Sequence, residues 1–163
     1  MADSFIIDRT QSKATQYADA LTQLTYLTED EKDWVANVSN IMACLKYGFG
    51  FFWVGIYLVK EDELVLGPFQ GPVACTRIKK GRGVCGASWE QNLTLLVPDV
   101  DAFPGHIACS SDSKSEVVVP LRNAEGKVIG VFDIDSATLN DFDSADQEGL
   151  EAIGNLISKI LAV

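Results

Sequence analysis

Apolar positions recur at close to 3.6 residues near both ends of the chain and run or alternate as in strands between them. Thr15, Tyr17, Ala18, Leu21, Leu24 and Leu27 supply the first helical stripe, and Trp34, Val38, Ile41 and Leu45 the second. The pattern predicts helices over about 11–26 and 29–47. Thr28-Glu-Asp-Glu31 reads as a capping box opening the second, and Gly48 and Gly50 close it. Phe51–Val59 is aromatic and β-branched, which predicts a strand, and Leu64–Leu66 reads as its hairpin partner. Five glycines between residues 67 and 87 (Gly67, Gly71, Gly81, Gly83 and Gly86) mark a stretch that is mostly loop. A short helix over Val84–Glu90 and a strand over Thr94–Val97 follow, then a loop bounded by Pro98 and Gly105. Glu116–Leu121 and Val128–Asp133, joined by a turn at Asn123–Gly126, read as antiparallel strands. Asp143 starts a last helix over about 144–161, with Leu150, Ile153, Leu156, Ile157 and Ile160 on its apolar side. The order of elements predicts one α+β domain over 1–163, a mainly antiparallel sheet with helices packed on one face.

Composition narrows the function. The 163 residues carry a formal charge of −10, which argues against nucleic acid, since phosphate backbones require clustered Lys and Arg. Arg77, Lys79, Lys80 and Arg82 form the sole basic cluster and read as a solvated loop. No apolar run approaches the roughly 20 residues of a membrane span, and Met1-Ala-Asp-Ser lacks the features of a secretory leader. A cytoplasmic protein is expected, and there stable structural disulfides are rare.

Four cysteines then carry the chemical question. Cys44 lies on the second helix beside Ile41 and Leu45 and reads as a core thiol. Cys75, Cys85 and Cys109 fall in or beside loops. A zinc site made of them would want short paired spacings or several histidines, whereas their spacings are 10 and 24 and His106 is the single histidine. Inert thiols and a redox pair both remain open on pattern alone. Cys109 is singled out because a serine-rich polar loop, Ser110 to Ser115, follows it and leads into a strand that opens with Glu116.

At these residues the sequence resembles the free methionine-(R)-sulfoxide reductases, which are built on a GAF domain. The resemblance runs through Trp53-Val-Gly-Ile-Tyr57, Gly67-Pro-Phe-Gln-Gly71, Ala74-Cys75, Gly81-Arg-Gly-Val-Cys-Gly86 and Val97-Pro-Asp-Val100. It continues through Phe103-Pro-Gly-His-Ile-Ala-Cys109, Ser115-Glu116 and Phe132-Asp-Ile-Asp135. It implies a GAF-like fold with a pocket in front of the sheet, a homodimer, no bound metal or cofactor, and reduction of the free R-sulfoxide. It also implies that Cys109 is catalytic, that Cys75 resolves it as a disulfide, and that Cys85 is accessory. A thioredoxin/NADPH system is the implied external reductant, and oxidative stress the implied setting.

The residues accommodate that chemistry. The Cys109 thiolate is the nucleophile for the substrate sulfur, and a carboxylic acid assists departure of its oxygen. Glu116, Asp133 and Asp135 are the candidate acids and binding groups. Asp133 and Asp135 stand two apart on a strand and so share a face, and clustered carboxylates raise one another's pKa. Trp53 and Tyr57 also share a face and are placed to box the S-methyl group. Loop amides near Gly81–Gly86 are expected to take the substrate carboxylate. A ligand-binding GAF module without chemistry and a redox sensor that turns nothing over are the competing readings.

Overall fold

Side chains on the central strands alternate between two apolar clusters, and that alternation decides the architecture. The computed structural model describes residues 5–106 and 109–162, so Ile107 and Ala108 of the Phe103–Cys109 motif lie outside the described residues, as do 1–4 and 163. Six strands, β1 (Trp53–Lys60), β2 (Glu63–Gln70), β3 (Arg77–Lys79), β4 (Leu95–Val97), β5 (Ser115–Arg122) and β6 (Val128–Ser136), form one sheet. Its order is β3-β2-β1-β6-β5-β4, with every neighbouring pair antiparallel.

Three long helices, α1 (Lys13–Thr28), α2 (Trp34–Phe49) and α4 (Ser144–Leu161), supply Tyr17, Leu24, Val38, Ile41, Leu45, Leu150, Ile153 and Ile157 to one cluster. Val54 and Ile56 of β1, Val117 and Val119 of β5, and Phe132 and Ile134 of β6 meet them there. The opposite face carries Trp53, Tyr57, Val118 and Val131, covered by the short helix α3 (Gly83–Gln91) through Val84 and Cys85. The expected α+β arrangement with a mainly antiparallel sheet is formed, but the helices are not confined to one face, since α3 covers the second.

Several boundaries differ from the sequence reading. The capping box at Thr28 is not formed. Thr28 is the last residue of α1, where its buried hydroxyl donates to the Leu24 carbonyl at 2.9 Å. Asp33 is the actual cap of α2, accepting from the Ala36 amide at 2.9 Å, while Glu31 accepts from Lys32 and Asp33. Gly48 lies inside α2, and Gly50, left-handed at φ 75°, ends it. Thr15 and Ala18 face solvent. Cys44, expected in the core, is half-buried at the cluster's edge.

β1 begins at Trp53 rather than Phe51; just before it Lys46 Nζ donates to the Phe51 and Phe52 carbonyls at 2.7 and 2.8 Å. β2 runs on through Gly67 and Pro68, which together face Ile56 across a bulge that accommodates the proline's missing N–H. Arg77, Lys79 and Lys80 of the basic cluster are solvent-facing as expected, while Arg82 borders a pocket; Arg77 and Lys79 sit on β3, an edge strand with Ile78 turned inward. β6 extends to Ser136. Among the described residues no helix is long and apolar enough to cross a membrane.

Candidate active site

The face of the sheet beneath α3 holds a pocket that brings all eight candidate residues close together. Trp53, Tyr57, Cys85, Cys109, Glu116, Asp133 and Asp135 line it, and Cys75 is disulfide-bonded to Cys109 at its edge with a Cα–Cα separation of 5.3 Å. That spacing lies within the usual range for a disulfide. Cys75 and Cys109 are both part-exposed, whereas Cys85 is buried as a free thiol.

The strand register sets out the carboxylates. Glu116 of β5 faces Asp135 of β6 directly, and Asp135 also faces Trp53 of β1. Asp133, two positions before Asp135, faces Val118 on one side and Gly55 on the other. Glu116 and Asp133 are 7% and 6% exposed, which excludes a solvent-facing strand-end role for them. Ser113, a residue the sequence reading passed over, donates to Asp135 Oδ1. Asp133 Oδ1 is buried with no hydrogen-bond partner.

Burial and mutual repulsion keep protons in this cluster. Glu116 is pushed well above the usual carboxylate range by burial and then by the charges of Asp133 and Asp135. Asp133 is pushed in the same direction by burial and then by the charge of Asp135, while the proximity of Cys85 and Glu116 opposes the rise. Asp135 is pushed up to about 6 by burial, against the Ser113 hydrogen bond that pulls it down. The Cys85 thiol rises well above its ordinary value through burial and then through Asp133 and Glu116. Such a set cannot ionise fully, so it retains a protonated acid near neutral pH.

The two aromatics do more than wall the pocket. The Trp53 indole stacks on Phe69 at 5.4 Å, and its Nε1 donates to the Pro72 carbonyl at 3.1 Å. The Tyr57 hydroxyl donates to the Cys75 carbonyl at 3.0 Å. Both therefore hold the loop that presents Cys75. A Cβ at Gly71 would come within 2.6 Å of the indole, so the approach of that loop requires glycine, which also tolerates its φ of 143°.

Three of the loop amides expected to bind a carboxylate are already used. Gly81 N donates to Gly86 O, Gly83 N to Gly105 O and Gly86 N to Arg82 O. Arg82 and the Val84–Cys85 start of α3 line the pocket instead. Arg82 was missed because a basic run reads as solvated surface; its flanking glycines were the available signal.

Comparison with known proteins agrees with this geometry. The sequence profile of the GAF domain family matches residues 28–162. The chain is 57% identical over 147 residues to GAF domain-containing protein A of Dictyostelium discoideum, covering 90% of this chain and 92% of that protein. It is 42% identical over 141 residues to the free methionine-R-sulfoxide reductase of Saccharomyces cerevisiae, covering 82% of this chain and 78% of that protein. Its fold matches the crystal structure of free methionine-R-sulfoxide reductase from Neisseria meningitidis in complex with its substrate. There the TM-score is 0.92 at 50% identity, covering 98% of this chain and 95% of the other. With its thiols and carboxylates gathered in one pocket, the chain belongs to the GAF-domain family of free methionine-R-sulfoxide reductases, which are oxidoreductases.

Proposed function

We propose that this chain reduces free L-methionine-(R)-sulfoxide to L-methionine through Cys109. The observation that carries the reading is the Cys75–Cys109 disulfide at the edge of a pocket floored by three carboxyl groups, of which Glu116 and Asp133 are pushed well above the usual carboxylate range. The Cys109 thiolate attacks the substrate sulfur, and the sulfoxide oxygen is protonated from the Glu116–Asp133–Asp135 set as charge develops on it. The substrate S–O bond breaks with oxygen leaving as hydroxide, which attacks the Cys109 sulfur and displaces methionine with the electron pair of the S–S bond, leaving a sulfenic acid on Cys109. The Cys75 thiol then displaces that oxygen as water and forms the disulfide. A thioredoxin-type dithiol reduces the disulfide by exchange, becoming oxidised itself, and is reset by NADPH through its own reductase.

Trp53 and Tyr57 pack the S-methyl end, the carboxylates take the ammonium, and the start of α3 with Arg82 takes the carboxylate. No bound cofactor is required by this sequence of steps. The enzyme is proposed to act as a cytoplasmic homodimer under oxidative stress.

The test is loss of free methionine-(R)-sulfoxide with thioredoxin, thioredoxin reductase and NADPH, beside the S epimer and a peptide-bound sulfoxide. Turnover of the free R form alone is expected. No turnover of any form by a fully reduced protein overturns the reading in favour of a ligand-binding GAF module.

A further inference from the structure

Cys85, Glu116 and Asp133 converge from α3, β5 and β6, and their donor chemistry has a use apart from sulfoxide reduction. All three are buried, and one donor atom from each lies within 4.8 Å of the other two. Cys85 Sγ stands 3.9 Å from Glu116 Oε1. Asp133, 94% buried and lining the pocket, carries a buried carboxylate oxygen, Oδ1, that has no hydrogen-bond partner. Among the described residues, none of the ion pairs reaches Glu116, Asp133 or Asp135. Buried acids without a basic partner are costly to ionise, and a cation placed among them offsets that cost.

The donor set selects the kind of cation. Mg2+ and Ca2+ take oxygen ligands alone, whereas a thiolate with two carboxylates suits a borderline ion such as Zn2+. Zinc bonds of about 2.3 Å to sulfur and about 2.1 Å to oxygen place S and O about 3.6 Å apart in a tetrahedron. The Cys85–Glu116 pair therefore needs to close by only a few tenths of an ångström. No pair of donor atoms needs to close by more than about 1.4 Å. The cysteine spacings that argued against zinc concerned the three thiols as ligands together; the fold supplies one thiol from α3 and two carboxylates from the neighbouring strands β5 and β6 instead.

We infer that the pocket binds one Zn2+ through the Cys85 thiolate and one oxygen each of Glu116 and Asp133, with the fourth position open to the pocket. The ion displaces the Cys85 proton and any carboxyl proton to solvent, so binding tightens as pH rises. It occupies the acid-rich floor, so zinc inhibits the enzyme reversibly; this consequence rests on the reaction proposed above, while the binding does not.

The experiment uses the full chain with Cys75→Ser and Cys109→Ser, which removes the dithiol as a rival zinc ligand. Titration with zinc chloride against a chromophoric chelator is expected to give one equivalent bound. Adding Cys85→Ser, or separately Asp133→Asn, is expected to weaken binding about tenfold or more. Cobalt in place of zinc is expected to show a sulfur-to-cobalt charge-transfer band that is absent with Cys85→Ser. Far-UV circular dichroism checks folding, and the cobalt band of the double-serine protein gives a readout should the Cys85 variant not fold. No zinc bound by the double-serine protein, or equally tight zinc in a folded Cys85→Ser variant, overturns the inference. If wild type reduces no sulfoxide while the double-serine protein binds zinc through Cys85, the reaction fails and the metal site stands.

Discussion

The two faces of the sheet use the same three strands for opposite purposes. On β1, β5 and β6 the residues turned toward α1, α2 and α4 are Val54, Ile56, Val117, Val119, Phe132 and Ile134, an apolar set with almost no exposure. The positions between them, turned toward α3, include Trp53, Tyr57, Glu116 and Asp133. A period of two thus divides stability from chemistry along single strands. The helix-covered face tolerates no polar group without a partner, whereas the pocket face retains buried acids because protonation and Ser113 moderate their cost.

The largest effect expected is on the pocket face. Cys109→Ser should abolish reduction of the free R-sulfoxide, measured as NADPH loss in the coupled assay, without altering the far-UV spectrum. Near-normal turnover would show that the pocket face does not act through this thiol. On the helix face the loss should be of stability. Phe132 is fully buried, and Phe132→Ala is expected to cost about 3–5 kcal/mol in urea unfolding. A cost below about 1 kcal/mol would mean that this face is not the core.

A smaller effect should show the energetic burden of the pocket face directly. Asp135 has a folded pKa of about 6 against an ordinary 3.8. Between those values the folded chain holds a proton that the unfolded chain has lost, so the contribution of Asp135 to stability falls as pH rises through the window. Asp135→Asn removes that slope. Relative to wild type it should gain about 1–3 kcal/mol on going from pH 4 to pH 7, read from urea midpoints at both pH values. An unchanged difference between the two proteins would remove the argument that burial strains this carboxyl.

Much of this division is visible in the chain itself. The stripe of α4, the alternation in Phe132-Asp-Ile-Asp135 and the antiparallel β5–β6 pair follow from local periodicity, which survives folding unchanged. Thr28 misled because its hydroxyl has two local options, capping the next helix or bonding back within its own, and only packing decides between them. β3 escaped notice because three residues with two outward cations give no strand signal without their partner β2. In the site, the cysteines and carboxylates were legible through the family resemblance. The bonds from Trp53 to Pro72 and from Tyr57 to Cys75 were not, since each joins a strand side chain to a loop carbonyl 18 or 19 residues away and leaves no sequence pattern.

The central claim is that Cys109 takes the oxygen and Cys75 removes it. Single-turnover analysis of Cys75→Ser tests that most directly, with methionine released per protein counted and the oxidation state of Cys109 read by mass spectrometry after trapping with a sulfenic-acid reagent. The account predicts about one methionine per chain, a stall in the presence of thioredoxin, and trapped sulfenic acid on Cys109. Sustained thioredoxin-dependent turnover with no sulfenic acid on Cys109 would contradict it.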